Sequence, residues 1–146
     1  QEELSWDLLE QAPHRGLRQL VADINHLYCQ EPSLHRNGFE GVGFEWIDCH
    51  DSTQSVLSYL RRDGEDFHIV VLNFTPVVRR NYRIGVPRCG VYREVLNSDS
   101  RFYGGSDVGN NPELTSQPVS WMGHRDSILL TLPPLGALVL KLTGVA

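Results

Sequence analysis

Residues 55–74 read Ser-Val-Leu-Ser-Tyr-Leu-Arg-Arg-Asp-Gly-Glu-Asp-Phe-His-Ile-Val-Val-Leu-Asn-Phe, two runs of apolar, β-branched and aromatic side chains on either side of Arg62-Asp63-Gly64-Glu65-Asp66. Asp-Gly between two such runs is the signal of a tight hairpin, because glycine adopts positive φ without strain. Strands are therefore predicted at 55–61 and 68–74, running antiparallel. The same texture continues on both sides, giving further strands at 43–49, 81–85, 91–97, 119–122, 127–132 and 137–142. Leu132-Pro133-Pro134-Leu135-Gly136 reads as a stiff corner between the last two. A parallel sheet would need a crossover helix between neighbouring strands, and no helical period appears after residue 38. The reading is a mainly β fold, an antiparallel eight-strand sandwich.

Before residue 38 the pattern is different. Leu17, Leu20, Val21, Ile24, Leu27 and Tyr28 recur at spacings of three and four, with Arg18, Asp23 and His26 between them, the stripe of an amphipathic helix. It is expected to begin near His14, after a break at Pro13, and to end at Pro32, with Trp6, Leu8 and Leu9 as a shorter apolar stretch upstream. One helix with one apolar face does not fold alone, so it must dock on the strands or on another body. The predicted organisation is a helical tail over 1–37 and an all-β domain over 38–146.

A chain of 146 residues with 40% hydrophobic and 21% charged side chains is long enough for one modest core and falls outside disordered and collagen-like compositions. It has no run near the ~20 apolar residues of a bilayer span, so no membrane partner is expected. Thirteen basic against 18 acidic residues leave a net charge of −5, which disfavours a phosphate backbone, and no nucleic-acid partner is expected. Twelve of the basic residues are Arg, the exception being Lys141. Cys29, Cys49 and Cys89 are widely spaced without a Cys-x-x-Cys, the pattern of neither a disulfide framework nor a zinc site, and a reducing cytoplasmic setting is expected. Residues 1–11 lack the basic start and apolar run of a signal peptide, and Met122 is the single methionine, so the chain is expected to be a piece of something larger.

Chemistry is sparse. Gly104-Gly105-Ser106-Asp107-Val108-Gly109 fits neither a phosphate-binding loop nor a nucleophile elbow, and the six histidines form no His-x-x-x-His pair. No metal and no cofactor are expected. Asn73-Phe74-Thr75 matches a glycosylation acceptor but ends an apolar strand, where a structural role is expected. Glu45, Asp63, Glu65, Asp66, Glu94 and Asp99 stand in no context that would raise a carboxyl pKa beside a facing partner, as glycoside chemistry requires. Asp99 reads as the closure of a local turn. Aromatic residues offer more, because sugars present flat C–H faces to exposed rings. Alternation in the first strand sets Ile47 and Cys49 on one face and Trp46, Asp48 and His50 on the other. Trp46 is either a stacking platform, with Asp48 accepting hydroxyl bonds, or a residue covered by the helix or a neighbouring domain. Tyr103, in the Gly-rich loop, serves either purpose, and Trp121 is expected in the core.

Several ordered motifs then resemble one family. They are Leu72-Asn73-Phe74-Thr75-Pro76, Tyr82-Arg83-Ile84-Gly85-Val86-Pro87, Glu94-Val95-Leu96-Asn97-Ser98-Asp99, Tyr103-Gly104-Gly105-Ser106 and Gly109-Asn110, flanked by Gly43-Phe44-Glu45-Trp46 and Leu130-Thr131-Leu132-Pro133-Pro134-Leu135. Together they are similar to the C-terminal region of bacterial 1,4-α-glucan branching enzymes of the α-amylase family. Leu4-Ser5-Trp6 looks like that family's Leu-Asp-Trp segment with Ser5 in place of Asp, and residues 17–28 look like the last helix of its catalytic barrel. The resemblance implies a parent enzyme that cleaves an α-1,4-glucan and transfers the segment to a 6-hydroxyl, with an Asp nucleophile, a Glu acid/base and a further Asp upstream of Gln1. It implies no catalytic residue in this chain and the barrel and an α-glucan as partners, and Trp46, Asp48 and Tyr103, singled out above by alternation and aromatic character, are the expected glucan contacts. The alternatives are a free-standing carbohydrate-binding module and the last domain of another α-amylase-family enzyme.

Overall fold

The computed structural model describes residues 5–38 and 41–144. Leu4 of the Leu4-Ser5-Trp6 motif, and Phe39 and Glu40 beside the helix–strand boundary, lie outside the described residues. A 3-10 turn at Trp6–Glu10 leads into α1 (Ala12–Gln30) and a single-turn α2 (Pro32–His35). The strands are β1 (Phe44–Asp48), β2 (Val56–Asp63), β3 (Asp66–Asn73), β4 (Arg79–Val86), β5 (Val91–Asn97), β6 (Leu114–Thr115), β7 (Asp126–Leu132) and β8 (Ala137–Gly144). Among the described residues they form two sheets, six strands in the order β1-β2-β3-β8-β5-β6 and two in the order β4-β7. Every pairing is antiparallel, and β1–β2 and β2–β3 are neighbours in sequence as well as in the sheet.

The hairpin at the centre of the sequence sets the register. Asp63 pairs Asp66 across a two-residue turn in which Gly64 takes φ 60°, and the ladder runs back to Val56 opposite Asn73. Residues of one parity then face inward. Leu60, Ile69, Leu138 and Leu140 from the large sheet meet Ile84, Ile128, Leu130 and Leu132 from the small one in a continuous core, all within 1% of full burial. Each such side chain contributes about 1.5–3 kcal/mol of transfer free energy. Tyr92 joins them fully buried, its hydroxyl donating to the Arg88 carbonyl at 2.5 Å. The opposite parity faces outward, where Val70, Leu96 and Val139 form a second cluster against Leu27 of α1.

Four details depart from the sequence expectation. Pro13 does not precede α1 but sits in its first turn, where a proline removes no helical hydrogen bond. Pro32 does the same for α2, so it starts one helix as well as ending another. The segment 119–122 is no strand. Trp121 and His124 instead close a tight turn with bonds of 3.0 and 2.9 Å, Met122 and Gly123 both having positive φ. Trp121 is accordingly 47% exposed rather than core. Finally, β6 is a two-residue strand pairing β5 that the sequence pattern did not mark.

The Leu132–Gly136 corner is stiffened from beneath. Asn73 Nδ2 donates to the carbonyls of Pro133 and Val77, both at 2.8 Å, while its Oδ1 accepts from the Thr75 N–H and hydroxyl. With its side chain spent on these bonds and 3% exposed, Asn73 is a structural residue and not a glycan acceptor.

Candidate functional site

The helical segment crosses the outer face of the six-stranded sheet and is fastened at two points. At its start, Gly16 packs so closely on Tyr103 that a Cβ there would lie 2.3 Å from the Tyr103 carbonyl oxygen. The Tyr103 hydroxyl donates to Asp23 Oδ2 at 2.8 Å. Burial, then the bond and the charge of Asp23, push the Tyr103 pKa up to about 12. The Gly-rich loop that carries Tyr103 is itself held by Asp99, which accepts from Ser106 N, Ser106 Oγ and Val108 N. Burial raises the Asp99 pKa, but these bonds outweigh it and hold the carboxyl below its usual value.

The second fastening lies under the α1–α2 junction. His68 of β3, fully buried on the outer face of the sheet, shares a 2.7 Å hydrogen bond between Nδ1 and the Ser33 hydroxyl. Its Nε2 sits 3.8 Å from Glu31 Oε2, which receives Lys141 Nζ at 2.5 Å. Burial is the main cause holding His68 below the ordinary imidazole pKa, with Glu31 opposing and Lys141 adding to the shift. Glu31, Asp66 and His68 bring ligand atoms within 4.8 Å of one another. The Lys141 ammonium already supplies the cation there, so the group reads as a latch between helix and sheet. Ser33 and His68 are both fully buried, which leaves no room for a substrate and excludes a hydrolytic Ser–His role.

Docking leaves one stripe of α1 uncovered. Leu17, Val21, Ile24 and Tyr28, at spacings of four, three and four, are 60%, 50%, 42% and 51% exposed. Trp6 and Leu8 of the upstream turn are exposed as well, and Leu9 is half-buried. A contiguous apolar face on an otherwise polar helix marks an interaction surface.

Trp46, Asp48 and Tyr103 do not converge. Trp46 lies on β1 at one edge of the large sheet, 48% exposed, with its ring edge-on to Phe44 at 4.8 Å and to Tyr59 at 5.9 Å. Tyr103 follows β5, and strands β2, β3 and β8 stand between β5 and β1. A register shift between Trp46 and Asp48 breaks the simple alternation. Asp48 accepts the His50 N–H at 2.9 Å, and its charge is among the causes that keep the Tyr82 phenol protonated, after burial and the bond to Asp51. Sequence reading missed the latch residues Ser33 and His68. A histidine alternating with Val70 and Leu72 inside an apolar strand was the available signal.

Two antiparallel sheets packed face to face, with a helical segment laid across one outer face, define an all-β sandwich domain. A family model described as the alpha amylase C-terminal all-beta domain matches residues 46–143. The chain belongs to that family. It is 60% identical over 139 residues to the 1,4-alpha-glucan branching enzyme GlgB of Cellvibrio japonicus (strain Ueda107), 55% over 139 residues to that of Nitrosococcus oceani, and 53% over 142 residues to that of Marinobacter nauticus. Each match covers 95% of this chain, which spans 19%, 19% and 22% of those relatives. Among solved structures, CldA, described as a cyclomaltodextrin glucanotransferase with a three-domain ABC distribution, matches with a TM-score of 0.50 at 16% identity, covering 90% of this chain and 22% of that one. At that identity the likeness speaks for the fold alone. Among the described residues no helix is long and apolar enough to cross a membrane.

Proposed function

We propose that this chain is the C-terminal part of a 1,4-α-glucan branching enzyme, in which residues 1–37 complete the catalytic barrel and residues 38–146 form the sandwich that covers it. The observation that carries the reading is identity above 50% through 95% of the chain with relatives of that name. The enzyme cleaves an α-1,4-glucan and joins the released segment to a 6-hydroxyl, using carboxylates on the upstream barrel. The chain's own part is to dock. The stripe of Leu17, Val21, Ile24 and Tyr28, extended by Trp6, meets the barrel, while the Tyr103 and His68 fastenings hold the helix on the sandwich. Trp46, with Asp48 near it, adds a glucan contact outside the active site, and Tyr103 serves the helix. The setting is cytoplasmic, since the free thiols of Cys29 and Cys89 on the surface suit a reducing compartment.

The test is incubation with amylose followed by a count of α-1,6 linkages. The longer enzyme carrying this C-terminus makes new branches and residues 1–146 alone make none. Branches made by the fragment would overturn the division of labour. A longer enzyme that only shortens amylose would overturn the branching assignment in favour of another α-amylase-family activity.

A further inference from the structure

We propose that the groove along the outer side of β4, on the layer of the sandwich opposite α1, binds a linear α-1,4-glucan segment with Trp121 as its stacking platform. The inference rests on the branching-enzyme reading for the identity of the sugar and goes beyond it in assigning a site. The groove measures about 610 Å³, inside the range of about 300–1,000 Å³ typical of small-molecule sites. Asp51 and Gln54 of the β1–β2 loop line it with Arg80, Asn81, Trp121 and Met122.

Three features make this a built surface. First, Trp121 is presented rigidly. The Trp121–His124 turn closes with two backbone bonds, and its Trp121 carbonyl oxygen rests where a Cβ on Gly85 would come within 2.3 Å, so only glycine in β4 lets the turn sit this low. A half-exposed indole on such a support loses little entropy when a pyranose ring stacks on it. Second, an acceptor in the same groove is fixed. Asp51 Oδ2 receives the Tyr82 hydroxyl at 2.7 Å and Gln54 Nε2 at 3.1 Å, and Oδ1 receives the Gln54 N–H at 3.1 Å. A carboxylate has about four acceptor positions, so capacity remains for a sugar hydroxyl. Third, donors line the same groove. Arg80 and Asn81 are exposed, whereas Arg83 is spent on Ser127 Oγ and Gln117 Oε1 at 2.7 and 2.8 Å. A flat apolar face rimmed by fixed acceptors and free donors matches a pyranose, whose C–H face and hydroxyl rim have the same arrangement. The groove also lies on the layer away from α1, so a barrel held against the helical stripe leaves it open to polymer.

The experiment titrates maltoheptaose into the protein by calorimetry, with cellohexaose and inorganic phosphate as comparison probes, for the native chain and the Trp121→Ala and Trp121→Phe variants, each checked for native circular dichroism. Maltoheptaose binding in the native chain that weakens about tenfold or more in Trp121→Ala and is partly restored in Trp121→Phe supports the site. Undiminished binding by a folded Trp121→Ala variant overturns it. Binding of cellohexaose in place of maltoheptaose overturns the α-glucan assignment, and displacement of maltoheptaose by phosphate makes the groove an anion site and overturns the proposal. The branching assay reads the parent activity separately, so a longer enzyme that branches amylose while this groove stays empty refutes this inference alone.

Discussion

Gly16→Ala sets two opposite effects against each other, and the sign of the result depends on whether α1 lies where the structure places it. In an undocked helix the change is favourable, since alanine exceeds glycine in helix propensity by about 1 kcal/mol. In the docked helix the new Cβ meets the Tyr103 carbonyl oxygen at 2.3 Å, with the Tyr103 carbonyl carbon at 2.7 Å and Cα at 3.2 Å. All three are backbone atoms and no rotamer relieves the contact. Ordinary contact distances require the two backbones to part by roughly 1 Å. That displacement carries Asp23 away from the Tyr103 hydroxyl, whose 2.8 Å bond then leaves the range of a good hydrogen bond. Overpacking costs about 1–3 kcal/mol, and the half-exposed hydroxyl–carboxylate bond adds about 1 kcal/mol. Together they exceed the propensity gain, and the expected net loss is about 1–3 kcal/mol, a fall of several degrees in melting temperature. Two further readouts locate the loss. Amide exchange should quicken over α1 but not over β2 and β3, and the Tyr103 phenol, pushed up to about 12 by burial and Asp23, should titrate closer to the ordinary value of about 10. A melting temperature that rises, with Tyr103 still titrating near 12, would refute the docking geometry.

Three other expectations follow from the same surfaces. Residues 1–146 alone should bind a hydrophobic dye or dimerise through the stripe, and Leu17→Glu with Val21→Glu should abolish both while sparing the sandwich; a dye-negative monomer would contradict the interface. His68 is held below its ordinary pKa of about 6.5, so the folded state binds fewer protons than the unfolded one. Stability is therefore complete above about pH 6.5 and lost as pH falls from there toward the folded pKa, in a site faced by Glu31 and Ser33 from the helical segment, Lys141 from β8 and Asp66 from β3. Melting curves from pH 7.5 to 5 should show this fall, and His68→Gln should flatten it; an unchanged slope in the variant would assign the pH dependence elsewhere. Trp46→Ala should reduce retention on an amylopectin affinity gel at a stability cost of about 1–2 kcal/mol, below the ~3–5 kcal/mol of a buried Trp, because only its edge contacts with Phe44 and Tyr59 are lost. Unaltered retention by the folded variant would rule out a glucan role for Trp46.

What the sequence made legible is local, and what it hid is contact between distant segments. The Asp63–Asp66 hairpin, the inward parity of Leu60 and Ile69 and the helix stripe all follow from periods of two and 3.6, which are properties of neighbouring residues. β6 is too short to have a period. The Trp121–His124 turn escaped because Met122 and Gly123 lack the Asn-Gly or Asp-Gly pair that marks positive φ at both central positions, and a Ser-Trp-Met run without that mark reads as strand. The fastenings were invisible for another reason. Tyr103 and Asp23 are 80 positions apart, and Ser33 and His68 are 35 apart, joined only because α1 returns across the outer face of the sheet. The direction of that return decides the exposed surfaces. By spending Tyr103, His68 and Lys141 on holding α1 to the large sheet, the fold turns Leu17, Val21 and Ile24 outward on one side and leaves Trp121 uncovered on the other. A domain that only capped a barrel would need the first face alone; the rigid turn seated on Gly85 packs Met122 against the core yet leaves the Trp121 indole half-exposed on the far layer, which is what a second, polymer-facing surface requires.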